Sequence, residues 1–132
     1  MGKKLGYVFG AVFVLVGLLG FISNPIVGAM GYFHTDLVHN LIHLIIGIVL
    51  LVGASKGEMM SVKTIKIVGI IYLVLAVVGF FQLGASGNEG NLLGIAGSNS
   101  ADNWLHLVLG VVMFAIATVV GKKSMSAPMS QM

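Results

Sequence analysis

The sequence predicts an all-α membrane protein: four transmembrane helices, arranged as two similar helix pairs, with both termini on the cytoplasmic side. Three observations lead there. Of 132 residues, 58% are hydrophobic and only 8% charged, with a mean hydropathy of +1.06, whereas a water-soluble domain carries roughly a quarter charged residues. Four apolar stretches each approach the ~20 residues needed to cross ~30 Å of hydrocarbon. All seven basic residues are lysines, and an even number of spans places every one of them on the same side.

The first span is Leu5–Ile22, ended by Asn24-Pro25, because proline cannot continue a helix and restricts the residue before it. Its apolar run exceeds the ~7–15 residues of a signal-peptide core, so it is read as a retained helix. The second span, Leu37–Ala54, starts at an N-cap supplied by Thr35-Asp36 and closes in the turn Ser55-Lys56-Gly57-Glu58. The third span is Ile65–Leu83. The Gly-, Ser- and Asn-rich stretch Gly84–Asn103 is the longest loop, and Ser100 or Asp102 is placed to cap the fourth span, Trp104–Gly121. Residues 122–132 read as a disordered cytoplasmic tail.

Orientation follows from charge. Lys3 and Lys4 precede the first span, Lys56, Lys63 and Lys66 lie around the second turn, and Lys122 and Lys123 follow the fourth span; Asp36, Glu89 and Asp102 fall on the opposite side. The positive-inside rule then gives N-in and C-in, in the inner (plasma) membrane of the cell. The lysines form no patch interleaved with aromatics, so nucleic acid is not a partner; the lipid bilayer is, and a homo-oligomer or larger membrane complex is the expected setting. With no cysteine, disulfides, thiolate metal sites and covalent haem attachment are excluded.

The two halves resemble each other, residues 4–54 as the first repeat and 63–121 as the second. His39-Asn40-Leu41-Ile42-His43-Leu44-Ile45-Ile46-Gly47 matches Asp102-Asn103-Trp104-Leu105-His106-Leu107-Val108-Leu109-Gly110, sharing N-x-x-H-x-x-x-G. Spans one and three match through Lys4/Lys63, Gly10/Gly69, Gly20/Gly79 and Phe21/Phe80. Each copy holds an even number of spans, so the copies are parallel and related by a pseudo-twofold axis along the membrane normal. His43 and His106 then lie at equal depth.

These stretches, with Val14-Leu15-Val16-Gly17-Leu18-Leu19-Gly20-Phe21 and Ser100-Ala101-Asp102-Asn103-Trp104-Leu105-His106-Leu107, carry a resemblance over nearly the whole chain. It resembles a family of small bacterial four-helix membrane proteins classed as a domain of unknown function. The resemblance implies the same architecture and supplies no activity.

A helix turning ~100° per residue puts Asp36, Asn40, His43 and Gly47 on one face and Asn99, Asn103, His106 and Gly110 on another. Polar residues in a span usually face the bundle interior, which makes a candidate site between helices two and four. Four roles are open. The first is structural, with Asn and His hydrogen-bonding between helices at ~0.6 kcal/mol each and the glycines permitting close approach; no cofactor is then needed. The second is a haem b held by His43 and His106 as axial ligands, with Gly47 and Gly110 admitting the porphyrin edge. The third is a zinc-like divalent metal on His39, His43, Asp102 and His106, whose i, i+4 spacings put two ligands on each helix. The fourth is proton or ion handling by the two repeated histidines. No nucleophile–base motif, phosphate loop or carboxylate pair at helical spacing is present, so the one enzymatic reading left is a hydrolytic metal site of His39 and Asp102 beside His43 and His106, and a non-enzymatic role ranks above it. A structural or interaction role comes first, a haem- or metal-binding protein second.

Overall fold

The computed structural model describes residues 1–128. Its four long helices are α1 (Gly2–Leu19), α2 (Leu37–Ser55), α3 (Glu58–Leu83) and α4 (Ser100–Ser126). Between α1 and α2 lie the two-residue strands β1 (Val27–Gly28) and β2 (Phe33–His34), paired in parallel; between α3 and α4 lies the antiparallel hairpin of β3 (Glu89–Leu92) and β4 (Ala96–Asn99). All four helices are long and apolar enough to cross a membrane, and the chain is a multi-pass membrane protein.

The distribution of side chains has the same cause. On α1 the buried face is Gly2, Gly6, Gly10, Phe13 and Gly17, while Val8, Val12, Leu15 and Leu18 are exposed. On α2, α3 and α4 large apolar residues such as Ile45, Ile48, Val74, Val77, Val108 and Val111 also point outward. Monomers in water rarely expose apolar patches beyond a few hundred Å², so this belt requires lipid. Small residues inside let helix backbones approach closely, which is how helices associate where lipid removes the hydrophobic drive between them.

α1 packs chiefly on α2, and α3 on α4. In both pairs the crossing is glycine on glycine. A Cβ at Gly10 would come within 3.0 Å of the Gly47 carbonyl oxygen, and one at Gly47 within 2.9 Å of the Gly10 carbonyl oxygen; one at Gly110 would meet the Gly69 carbonyl oxygen at 3.0 Å. The Gly6-x-x-x-Gly10 notch is therefore filled from within, by Ser61 and Ala54 at Gly6 and by Leu51 and Gly47 at Gly10. The pairs join through α3, which touches both α1 and α2, so α1 and α3 lie on the short diagonal and α2 and α4 on the long one. Phe13, Leu50, Ile65, Val68, Tyr72, Met113 and Ala117 form the core.

Element ends differ from the sequence expectation where side chains intervene. α1 stops at Leu19 rather than Ile22, because the Asn24 amide donates to the carbonyls of Leu19, Ile22 and Val27 while its oxygen accepts from the N–H groups of Ile26 and Val27. α3 starts at Glu58, so Lys63 and Lys66 lie on the helix; the Lys66 ammonium sits 5.4 Å over the Phe114 ring, as a long side chain with an apolar stem can. α4 is capped by Asn99, neither Ser100 nor Asp102: the Asn99 side chain accepts from the Asp102 N–H, and the Asp102 carboxylate accepts from the Asn99 N–H. The tail expected from residue 122 is helical to Ser126, and the rest of it, Met129–Met132, lies outside the described residues.

Met1, the α2–α3 turn, Ser124 and Ala127 line one cavity, so the start of α1 and the end of α4 share the lysine end of the bundle. There Glu58 accepts from the N–H groups of Gly2 at 2.5 Å and Lys3 at 2.9 Å. Glu58, though on α3, thereby caps the exposed amides of α1. Glu58→Ala is expected to cost about 1 kcal/mol, as lost caps do, read as a lower melting temperature in detergent with the helix content of the native state unchanged.

At the opposite, hairpin end, the turn Leu92–Ile95 carries positive φ at both central residues, 55° at Leu93 and 73° at Gly94. Leucine is disfavoured there because its Cβ crowds the following carbonyl; the Leu93 N–H is held by Gln82 Oε1 at 2.8 Å. Leu93→Asn is expected to stabilise the protein by about 0.5–1 kcal/mol, checked by the same melting experiment.

Candidate functional site

The hairpin half of the bundle contains a buried aromatic and imidazole cluster. His39 and His43, one turn apart on α2, stack at 4.8 Å between ring centroids with 12° between planes. His106 on α4 lies 6.0 Å from His39. Tyr72 on α3 fills the space between the halves: its ring meets His106 edge-to-face at 5.1 Å and Phe13 of α1 edge-to-face at 5.4 Å, and its hydroxyl lies 3.4 Å from His43 Nδ1. Phe13 is in turn 5.6 Å from His43. Thus His39, His43 and His106 do come together, and Tyr72 and Phe13 are members the motif reading missed. A signal existed: the shift that relates Gly10 to Gly69 also relates Phe13 to Tyr72.

The hairpin closes the cluster from above. His39 Nδ1 lies 2.6 Å from the Gly97 carbonyl oxygen of β4. A carbonyl can only accept, so Nδ1 carries the proton and donates. This bond ties the second helix of the first pair to the hairpin of the second. Asp36, half-buried at the N-cap of α2, accepts from the His39 N–H at 2.9 Å. Burial alone would raise its pKa, but the N–H groups of His39 and Gly97 hold it below the ordinary carboxylate value. A lowered folded-state pKa adds stability that is full above the unfolded value near 3.8 and is lost as pH falls through the folded value. Acid melting between pH 5 and about 2 is therefore expected to be less steep in Asp36→Asn than in the parent.

The remaining site candidates have other places. Asn40 and Asn103 do not meet between α2 and α4, as the sequence suggested; each faces the glycine of its own pair. A Cβ at Gly20 would land on Asn40 Oδ1, and one at Gly79 on Asn103 Oδ1, so these oxygens, buried and without a hydrogen-bond partner among the described residues, point at glycine Cα–H groups as weak acceptors. Asn103, fully buried, donates through Nδ2 to the Gly84 carbonyl at 3.0 Å. Gly47 and Gly110 make room for Gly10 and Gly69, not for a porphyrin edge. Asp102 is occupied by its capping box and by the Ser98 hydroxyl at 3.1 Å.

The cavity touching His39, Tyr72 and His106 measures about 60 Å³ and is otherwise lined by Ile42, Leu75 and hairpin residues. Pockets for cofactor-sized ligands run to ~300–1,000 Å³, and this cavity, which His43 does not line, is smaller than that. Among the described residues, no three His, Asp or Glu side chains are gathered as a metal-binding group, so the four-residue set His39, His43, Asp102 and His106 shares a neighbourhood without forming a ligand cage. Towards the lysine end the core below Tyr72 is apolar, built of Leu50, Ile65, Met113 and Ala117.

The cluster itself is not symmetric between the halves: the counterpart of His39 is Asp102, and the tyrosine has a phenylalanine for its counterpart. Tyr72 offers a hydroxyl to His43 Nδ1; its counterpart Phe13 has none, and His106 Nδ1 is buried without a partner among the described residues.

A family model described as Domain of unknown function (DUF4383) matches residues 3–119. No curated protein and no solved structure matches the chain.

Proposed function

The chain belongs to that family of unknown function, and on this premise we propose that it is a structural or interaction component of the plasma membrane whose buried histidine cluster locks two helix pairs together. The observation that carries this is the His39 Nδ1–H bond to the Gly97 carbonyl. It crosses between the pairs in a buried site, where a satisfied hydrogen bond is stronger and a broken one more costly than in water. The apolar outer belt leaves the lateral faces free for lipid, for a second copy or for a larger complex. All seven lysines at one end of the bundle support an orientation with both termini in the cytoplasm, which C-terminal reporter fusions active only on one side of the membrane would test.

One observation speaks for a metal. An imidazole whose Nδ1–H is held by a backbone carbonyl presents Nε2 as a free lone pair, the usual second contact of a ligating histidine. An absorbance spectrum and elemental analysis of the detergent-purified protein, beside a His43→Ala/His106→Ala variant, separate the two. A colourless protein with far less than one metal per chain, and a variant that melts earlier, is the expected result. A Soret band, or one metal per chain lost in the variant, would contradict the structural role.

A further inference from the structure

At the hairpin end, separate from the histidine cluster, a cavity of about 410 Å³ opens between the two halves, lined by Tyr32, Trp104, Glu89, Asn88, Asn99 and Ala85 among others. Its size is within the ~300–1,000 Å³ of small-ligand sites. Tyr32 is 71% exposed and Trp104 50% exposed. A membrane-interface belt accounts for exposed aromatic rings, but not for two of them lining one cavity with a carboxylate.

Both rings are held in place. Trp104 Nε1–H donates to the Ala85 carbonyl at 2.8 Å and the ring packs edge-to-face with Phe80 at 4.9 Å. Tyr32 packs edge-to-face with Phe33 at 5.1 Å, and its carbonyl accepts from Asn99 Nδ2 at 2.8 Å. Glu89 is 65% exposed, and its one ionic neighbour among the described residues is His34, whose Nδ1 is 3.5 Å from Oε2. None of the seven lysines is near: they occupy the other end of the bundle. The cavity lining therefore combines a carboxylate-bearing residue and two aromatic residues without a lysine, and an ammonium group there would compete with His34 for Glu89.

We propose that this cavity binds an alkylammonium group, with Glu89 opposing its charge and Tyr32 and Trp104 enclosing it by cation–π attraction. The group comes either from a phospholipid headgroup or from a free amine, since both present the same cation.

Trp104 is the single tryptophan of the chain, so its emission reports on the cavity directly. The purified protein, reconstituted in phosphatidylglycerol nanodiscs, is titrated with tetramethylammonium chloride against sodium chloride at equal ionic strength. A saturable change in emission is expected, weakened about tenfold or more in Glu89→Gln and in Tyr32→Ala, with melting of both variants unchanged. Repeating the titration in phosphatidylethanolamine nanodiscs identifies the source. A blocked response there means the headgroup holds the site, and an equal response means a free amine does. No saturable response in phosphatidylglycerol, a response that Glu89→Gln leaves intact, or one that glucose reproduces would overturn the proposal.

Discussion

Gly110→Val is expected to cost about 3 kcal/mol or more and to separate α4 from α3. The atoms a Cβ would meet are mostly backbone: the Leu73 nitrogen at 2.8 Å and the Gly69 carbonyl oxygen at 3.0 Å, together with the Leu73 side chain at 2.8 Å. A side chain could rotate away, but a helix backbone cannot, so the whole helix must move and the contacts along α3–α4 loosen with it. The matched control is Gly121→Ala on the same helix, where the only close atom is a Val62 methyl at 3.2 Å. There the better helix propensity of alanine, about 1 kcal/mol, offsets a small displacement, and stability should stay within about 1 kcal/mol of the parent. Melting in detergent followed by far-ultraviolet circular dichroism separates the two; equal effects would mean the Gly69–Gly110 crossing is not the contact that sets the helix spacing.

His39→Leu is expected to destabilise by about 2–3 kcal/mol. Leucine has similar bulk and suits an apolar surrounding, so the loss is not one of volume. What remains is the Gly97 carbonyl, buried in β4 with its donor gone, and a buried acceptor left unmatched costs about 1–3 kcal/mol. The stacking of His39 on His43 is lost as well. Because the bond joins α2 to the hairpin, the hairpin should open before the helix pairs do, visible as faster amide exchange at Gly97–Asn99 than at Gly110.

The sequence made the helices legible because lipid imposes one demand, a long apolar run, and charges can appear only at its ends. It also made the glycine contacts partly legible: Gly10/Gly69 and Gly47/Gly110 stand in matching positions in the two halves, and they are the crossing points within each pair. What it did not disclose was which helices face one another. The repeated histidines suggested a site between α2 and α4; His39 and His106 do approach to 6.0 Å, but those helices lie on the long diagonal and Tyr72 of α3 packs against both His43 and His106. Tyr72 looked like one more apolar-run residue, because a motif read within a helix says nothing of a partner on another. The β3–β4 hairpin was hidden for a different reason. Glycine and asparagine make Gly84–Asn103 read as a loop, and its pairing depends on a turn with leucine at positive φ, a residue that does not announce such a turn. The Asn99 cap was missed by one residue, the usual uncertainty of a helix end.

The central claim is that the buried cluster serves as a lock between helix pairs, and its asymmetry gives the sharpest test. His39 makes a hydrogen bond across the pairs, whereas His106 Nδ1 has no partner among the described residues. Replacing a buried polar group that lacks a partner by an apolar one of similar size is near neutral or stabilising. The measurement is the stability of His39→Leu and His106→Leu side by side, by thermal melting of the purified chain in one detergent. A lock predicts that His39→Leu melts well below the parent while His106→Leu melts within about 1 kcal/mol of it or above. Equal and large losses in both, accompanied by release of a bound metal, would contradict the lock and assign the histidines to a cofactor.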